Sequence, residues 1–273
     1  MPLNSEDLDY VRAFVRGRSA IVLDNKEYLI EARLESLAAS EGLPSLTNLM
    51  RALRNEPDPK PLHRKVLDAL ATHETLFFRD AHPFDALRKF VIPQLLDRRR
   101  DSKSIRIWSA ACSAGQEPVS IAILLRHYFP ELNDWRIDIL ATDISDETLD
   151  QARSGCYSQI EINRGLPAPL LIRYFEDLGS HWKVQPAIHR MIRYDYFNLV
   201  DPWPARRPFD LILLRNVMIY FDVDVKREVL ERIGEALTPG GYLLMGAAET
   251  VFGISEVFET MMFGRTAFYR RKS

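Results

Sequence analysis

The chain has 273 residues, of which 47% are hydrophobic, and its formal net charge is −2. This composition excludes an intrinsically disordered chain and suits one large α/β domain with a smaller appendage. Two cysteines are too few for a disulfide framework or an all-cysteine zinc site, and the six histidines have no metal-ligand spacing. No apolar run is long enough to cross a membrane, and the charge is balanced. We therefore expect a cytoplasmic protein that binds no metal, inserts into no membrane and has no nucleic acid partner.

The first eighty residues predict helices only. Apolar residues recur at helical spacing in four stretches, and a proline-rich break at 57–61 separates the third from the fourth. We predict a helical N-terminal domain at 1–80, followed by a basic linker or helix at 81–104. Residues 81–106 carry seven Lys or Arg against three Asp. This basic segment is either a docking surface, together with Arg12, Arg16 and Arg18, or a solvated linker.

From residue 105 onward, short apolar runs alternate with helical stretches, which is typical of a parallel βαβ sheet. The stretch at 156–190 is irregular, and we interpret it as an insertion within a domain at 105–273. The predicted elements are strands at 105–110, 137–142, 190–194, 209–214 and 242–246, helices at 117–128, 146–154 and from Asp222 through Leu237, and a terminal hairpin at 257–270.

The junction after the first predicted strand, Trp108 to Pro118, consists mainly of small residues. In a doubly wound sheet this junction lies at the carboxyl ends of the strands, where ligands bind. The G-x-G-x-x-G phosphate cradle is absent, because Gly115 is the only glycine there. The pattern favours an adenosine cofactor without phosphate, such as S-adenosylmethionine, over a dinucleotide.

The second predicted strand ends at Asp143, where a carboxylate can accept hydrogen bonds from both ribose hydroxyls of an adenosine cofactor. That position suits NAD and S-adenosylmethionine equally. In the alternative interpretation, Asp143 only caps the helix that begins near Ser145 or Asp146.

Four motifs in chain order resemble those of the CheR family, the chemotaxis receptor glutamate methyltransferases. They are Thr72–Asp80, Ser109–Pro118, Ala141–Ser145 and Phe209–Asp210 with Arg215–Phe221. The resemblance covers almost the whole chain. It implies an α/β fold with a Rossmann-like class I S-adenosylmethionine methyltransferase sheet, a helical N-terminal domain and a small inserted β subdomain at 156–190.

The resemblance also implies a set of site residues. Arg79 would meet the methionine carboxylate, Asp143 the ribose, and Asn198 with Leu199 the adenine; Tyr220 and Arg79 are the candidate catalytic residues. His73 stands where the family commonly has Asn. The full set of implied cofactor contacts is His73, Thr75, Arg79, Glu117, Asp143, Asn198, Leu199, Arg215 and Asn216.

The resemblance implies that the substrates are glutamates on the helical cytoplasmic bundle of a chemoreceptor, with S-adenosylhomocysteine as the product. Some family members dock on a receptor's C-terminal peptide through a glycine-rich loop. Here Glu176–Phe197 is short and contains one glycine, so we expect docking without that tether. We also expect a monomer. Three alternatives stay open: a related methyltransferase acting on a small molecule or another protein, a cofactor-binding signalling module without transfer activity, and an NAD-dependent oxidoreductase.

Overall fold

The computed structural model describes residues 3–24, 26–55 and 61–272. The first part of the chain is helical, as predicted, and its buried Val11, Ile30 and Leu49 belong to a separate apolar core. The Asn4 side chain caps the first helix by accepting a hydrogen bond from the N–H of Asp7. The predicted proline-rich break lies largely at 56–60, outside the described residues. The helices are α1 (Ser5–Ser19), α2 (Glu27–Ser40), α3 (Leu46–Asn55) and α4 (Pro61–Leu70).

The basic segment at 81–106 is not a solvated linker. It forms α5 (His82–Ala86), a π-helical turn (Leu87–Val91) and α6 (Ile92–Arg98). Its apolar face belongs to the core of the sheet, where Phe84, Leu87, Val91, Ile92 and Leu95 are buried.

The cations of this segment are largely engaged within the fold. Arg99 bonds Asp210 and Arg106 bonds Asp138, both on strands of the central sheet. Arg88 bonds Asp85, Arg100 bonds Asp97, and Arg98 donates to the carbonyl of Gly240. The segment ends inside the first strand of that sheet, at Arg106. Most of its cations are therefore paired within the fold and do not form a strip of free charge.

Ten strands follow in the part of the chain that the structure describes, and they form two sheets. The seven-stranded sheet has the order β6-β2-β1-β7-β8-β10-β9. Its first five strands are parallel, and β10 runs antiparallel to both of its neighbours, β8 and β9. The other sheet, β3-β5-β4, is antiparallel and belongs to the insertion. The strands are β1 (Ser104–Ala110), β2 (Arg136–Asp143), β3 (Cys156–Ser158), β4 (Phe175–Asp177), β5 (His181–Val184), β6 (Ile192–Tyr196), β7 (Phe209–Leu214), β8 (Leu237–Met245), β9 (Phe258–Phe263) and β10 (Thr266–Arg271).

The remaining helices connect these strands. The predicted helix at 146–154 and the helix capped by Asp222 are confirmed. The helices are α7 (Gln116–Tyr128), α8 (Asp146–Ser154), α9 (Gln159–Asn163), α10 (Ala168–Tyr174), α11 (Pro186–His189) and α12 (Val223–Ala236).

The predicted boundaries are wrong by two residues or more around Leu237 and around Arg190. The strand predicted at 242–246 begins at Leu237 and ends at Met245. Leu237 was placed in the last helix, but it is extended and begins β8, because Pro239 two residues later cannot continue a helix. The strand predicted at 190–194 begins at Ile192, because the short helix α11 still holds Arg190 through a bond to the carbonyl of Pro186.

The strand order reverses beside β1, whose neighbours are β2 on one side and β7 on the other. This is the topological switch point, and the connections that leave the carboxyl ends of β1 and β7 run to opposite sides of the sheet there and open a crevice. No helix within the described part of the chain is long and apolar enough to cross a membrane.

Candidate active site

The loop after β1 has a strained backbone shaped by small residues. Ala111 and Ser113 have positive φ angles of 58° and 49°, and Gly115 has a φ of 90°. A Cβ on Gly115 would lie 2.9 Å from the Cβ of Ala152 on α8, so only glycine fits between the loop and that helix. The loop therefore brings its backbone amides against the end of β2.

Asp143, at the end of β2, accepts hydrogen bonds from two backbone N–H groups. Its Oδ2 accepts the N–H of Ser113 at 2.7 Å, and its Oδ1 accepts the N–H of Ser145 at 3.0 Å. Burial raises the pKa of the Asp143 carboxyl, although these two bonds and the charge of His73 oppose the rise. Ser145, not Asp143, is the N-cap of α8, so the helix-cap interpretation of Asp143 is wrong.

Arg215, just beyond β7, lies in a buried ion-pair network. Its side chain is 2% exposed; Nη1 donates to Glu117 at 3.1 Å and Nη2 to Asp80 at 2.8 Å. Nη2 also reaches the carbonyl of Arg79, and the second oxygen of Glu117 accepts the hydroxyl of Ser109. The network joins the ends of β1 and β7 to the segment before α5.

His73 connects this loop to the N-terminal helices. Its Nε2 lies 3.0 Å from Oδ1 of Asp68 on α4, and its carbonyl accepts the hydroxyl of Ser113 at 2.8 Å. Burial alone would lower the pKa of His73, but its bonds to Asp68 and the charges of Asp143 and Asp68 outweigh burial and raise it. The His73 imidazole is thus held by the Asp68 carboxylate, which lies on α4 and not at the strand ends of the sheet.

The N-terminal helices close one side of the cleft. The Asn198 amide donates to the carbonyl of Arg18 at 2.7 Å, and the N–H of Val22 donates to the carbonyl of Tyr220 at 3.0 Å. Ser19 and Ile21, at the end of α1, line the same cleft as Tyr220.

The structure brings all ten predicted site residues to the lining of one cleft. They are His73, Thr75, Arg79, Glu117, Asp143, Asn198, Leu199, Arg215, Asn216 and Tyr220.

Sequence reasoning missed several partners of these residues. Asp80 was quoted within a motif but not assigned to Arg215, and Asp68 was not connected with His73. Arg215 is a basic residue directly after a buried strand, and this signal could have prompted a search for an acidic partner such as Asp80. The contribution of Ser19 and Ile21 has no local sequence signal, because it depends on how α1 packs against the sheet domain.

The residues present fit an adenosine cofactor without phosphate. Asp143 is buried, and its two oxygens accept the N–H groups of Ser113 and Ser145, which leaves capacity for hydroxyl donors. Nη1 of Arg79 donates to the carbonyl of Glu74 at 2.9 Å. Among the described residues, no carboxylate lies within ion-pair distance of Arg79, so its other N–H groups are available to a ligand carboxylate. Burial raises the pKa of Cys112 well above its ordinary value, which keeps the thiol from acting as a nucleophile.

The sheet order and this cleft define a Rossmann-like S-adenosylmethionine-dependent methyltransferase. The model of the CheR methyltransferase SAM binding domain matches residues 73–267, and that of the CheR methyltransferase all-alpha domain matches residues 6–71. The chain therefore belongs to the CheR methyltransferase family.

Curated relatives match this chain over nearly its full length. The chain is 36% identical to chemotaxis protein methyltransferase Cher2 of Pseudomonas putida, with 100% of both chains covered. It is also 36% identical to chemotaxis protein methyltransferase 1 of Pseudomonas aeruginosa, again over 100% of both. A chemotaxis protein methyltransferase of Vibrio parahaemolyticus is 37% identical, with 98% of each chain covered.

Proposed function

We propose that the protein transfers a methyl group from S-adenosylmethionine to glutamate side chains of chemoreceptors. The products are glutamyl methyl esters, which serve sensory adaptation, and S-adenosylhomocysteine. The observation that carries this proposal is the buried carboxylate of Asp143 at the switch point, in a cleft without a phosphate cradle, in a chain of the CheR family. The missing cradle disfavours an NAD-dependent oxidoreductase.

In this proposal Asp143 holds the ribose hydroxyls, and Asn198 and Leu199 bracket the adenine. Arg79 binds the methionine carboxylate, an anion that a guanidinium can hold with two parallel hydrogen bonds. The remaining cofactor contacts come from His73, Thr75, Glu117, Arg215 and Asn216.

The proposal gives Glu117 and Arg215 a second task. Because they pair with each other and with Asp80, they also keep the cleft wall in place. His73 contributes through its backbone carbonyl, which orients the loop after β1.

Bound S-adenosylmethionine supplies an electrophilic methyl group on a sulfonium. A glutamate has an ordinary pKa of about 4.3, so the incoming carboxylate is ionised at neutral pH and needs no general base. The protein's task is to align that carboxylate and exclude water. Tyr220 lines the cleft, and we assign its hydroxyl the role of donating a hydrogen bond to the incoming carboxylate.

The proposed partner is the helical cytoplasmic bundle of a chemoreceptor, reached in the cytoplasm by a monomeric enzyme. We further propose that docking does not depend on a C-terminal peptide tether. The turn between β4 and β5 is short, spanning Leu178, Gly179 and Ser180, and offers little surface for such a peptide.

The proposal is tested with purified protein, methyl-labelled S-adenosylmethionine and a chemoreceptor cytoplasmic fragment. We expect label on the fragment that alkali releases, as a methyl ester requires, and S-adenosylhomocysteine in equal amount. Cofactor binding without label on the fragment would favour a signalling module without transfer activity. Label that resists alkali would favour a methyltransferase acting on another kind of group.

A further inference from the structure

Glu249, which follows β8, binds the backbone of the loop that carries two of the proposed site residues. Its Oε2 accepts the N–H of Asn216 at 2.7 Å and the N–H of Gly246 at 2.7 Å. Its Oε1 lies 3.3 Å from the N–H of Ile219, which donates to it. One carboxylate thus joins the loop after β7 to the end of β8.

The loop after β7 needs such a partner because the backbone of Asn216 is strained. Asn216 has a φ of 60°, in the left-handed region that non-glycine residues rarely adopt. The Asn216 N–H points at the Glu249 carboxylate, and a bond to a charged acceptor is stronger than one between neutral groups. The carboxylate therefore stabilises the conformation that carries the chain from Arg215 into the turn at Tyr220.

The contact between the two loops leaves no room for a side chain on Gly246. A Cβ there would lie 2.6 Å from the Glu249 carboxylate and 2.9 Å from the Asn216 nitrogen. Gly246 is buried, whereas Glu249 itself is only half-buried and is not among the residues that line the cleft. Glu249 acts on the site through the loop and not by touching a ligand.

We propose that Glu249 is a positioning residue, which fixes the loop from Asn216 to Tyr220 so that Tyr220 faces the incoming carboxylate. The inference rests on the proposed methyl transfer and deepens it. Turnover depends on the placement of Tyr220, and a displacement of about 1 Å at a reacting centre can cost about 100-fold in rate. Loss of the Glu249 carboxylate should therefore lower kcat.

The test compares Glu249→Ala and Glu249→Gln with the unaltered chain, using labelled S-adenosylmethionine and a chemoreceptor fragment at saturating concentrations. Glutamine keeps one acceptor oxygen, which can still bind Asn216 and Gly246, whereas alanine keeps none. We expect kcat to fall about 10- to 100-fold for the alanine variant and distinctly less for the glutamine variant. Glu256→Ala removes the same charge from an exposed position in the same loop and should keep the kcat of the unaltered chain.

A double variant separates positioning from a general loss of stability. If Glu249 acts through Tyr220, then Glu249→Ala must cost less in a Tyr220→Phe background than in the unaltered chain. Equal costs in both backgrounds, or an alanine variant that is folded and fully active, would overturn the inference. If the alanine variant fails to fold, a glutamine variant that is folded and no slower than the unaltered chain overturns it. Absence of any transfer by the unaltered chain would instead overturn the proposed function.

Discussion

Arg215 and Glu117 form a buried ion pair in the wall of the cleft, with 3.1 Å between Nη1 and Oε2. Arg215 extends from the end of β7 and Glu117 from the first turn of α7, so the pair joins the two halves of the sheet at the switch point. The sequence left open whether Arg215 contacts a ligand or serves as an ion-pair partner. The ion pair is present, and a cofactor contact by Arg215 stays a prediction.

Replacement of Arg215 by Met should destabilise the protein by about 3–5 kcal/mol, because it leaves Glu117 buried and uncompensated. Urea unfolding at neutral pH measures this loss. Adding Glu117→Gln should recover a part of it, since the amide carries no charge. If the unfolding free energy of Arg215→Met alone lies within about 1 kcal/mol of the parent's, the Arg215–Glu117 pair does not stabilise the cleft wall.

Replacement of Asp143 by Asn should weaken S-adenosylmethionine binding about 10-fold or more, because an amide offers one acceptor oxygen and turns a donor toward a backbone N–H. Isothermal titration calorimetry measures the dissociation constant. Asp146→Asn, the same change three residues away on the exposed side of α8, is the control and should bind as the parent does. Equal affinity in both variants would remove Asp143 from the cofactor site.

The pair of His73 and Asp68 should make stability depend on pH. The pKa of His73 is raised above its ordinary 6.5, so its stabilising contribution is fully present below pH 6.5 and is lost as the pH rises through the raised value. Unfolding free energies of the parent and His73→Asn, measured from pH 5 to 8, should differ most at the acidic end. Asp68→Asn should abolish most of this pH dependence, and a constant difference across the range would contradict the assignment.

Gly115→Ala and Gly179→Ala test the close approach in the loop after β1. Both glycines have positive φ, 90° and 84°, but a Cβ on Gly179 meets nothing within 4 Å. We expect about 1 kcal/mol of backbone strain at Gly179, and a further 1–3 kcal/mol at Gly115 from the clash with Ala152. Thermal unfolding of the two variants measures the difference. Equal losses would mean that α8 can move away from the loop without cost.

Tyr220→Phe should lower turnover of the receptor substrate with little change in S-adenosylmethionine affinity, because only the hydroxyl is removed. Steady-state methylation kinetics and a separate calorimetric titration measure the two quantities. If turnover is unchanged, the hydroxyl does not orient the substrate carboxylate.

The fold could be predicted from the sequence wherever it depends on the local pattern of apolar residues, proline and glycine. The alternation from residue 105 onward and the break at Pro239 define the order of strands and helices, and the small residues before Gly115 indicate a ligand loop. Boundaries failed where pairing with a distant strand also contributed, as at Leu237, which lies opposite Phe209 of β7.

The site was predictable only as a list of residues that share one edge of the sheet. Two of its partners were not, because Asp80 meets Arg215 and Glu249 meets Asn216 across loops far apart in the chain. Asp68 is close to His73 in the chain, but no local pattern indicates that the two side chains pair. The same holds for the basic segment at 81–106. Its charge excess is visible in the sequence, but the pairing of Arg99 with Asp210 depends on the packing of α6 against the sheet.

The central claim is that this cleft methylates receptor glutamates, and mass-spectrometric mapping of the modified residues tests it most directly. A chemoreceptor cytoplasmic fragment is incubated with S-adenosylmethionine and either the parent protein or Asp143→Asn. The account predicts methyl esters on glutamate side chains with the parent, and strongly reduced modification with the variant at a limiting cofactor concentration. A fragment that stays unmodified, or that carries methyl groups only on residues other than glutamate, would contradict it.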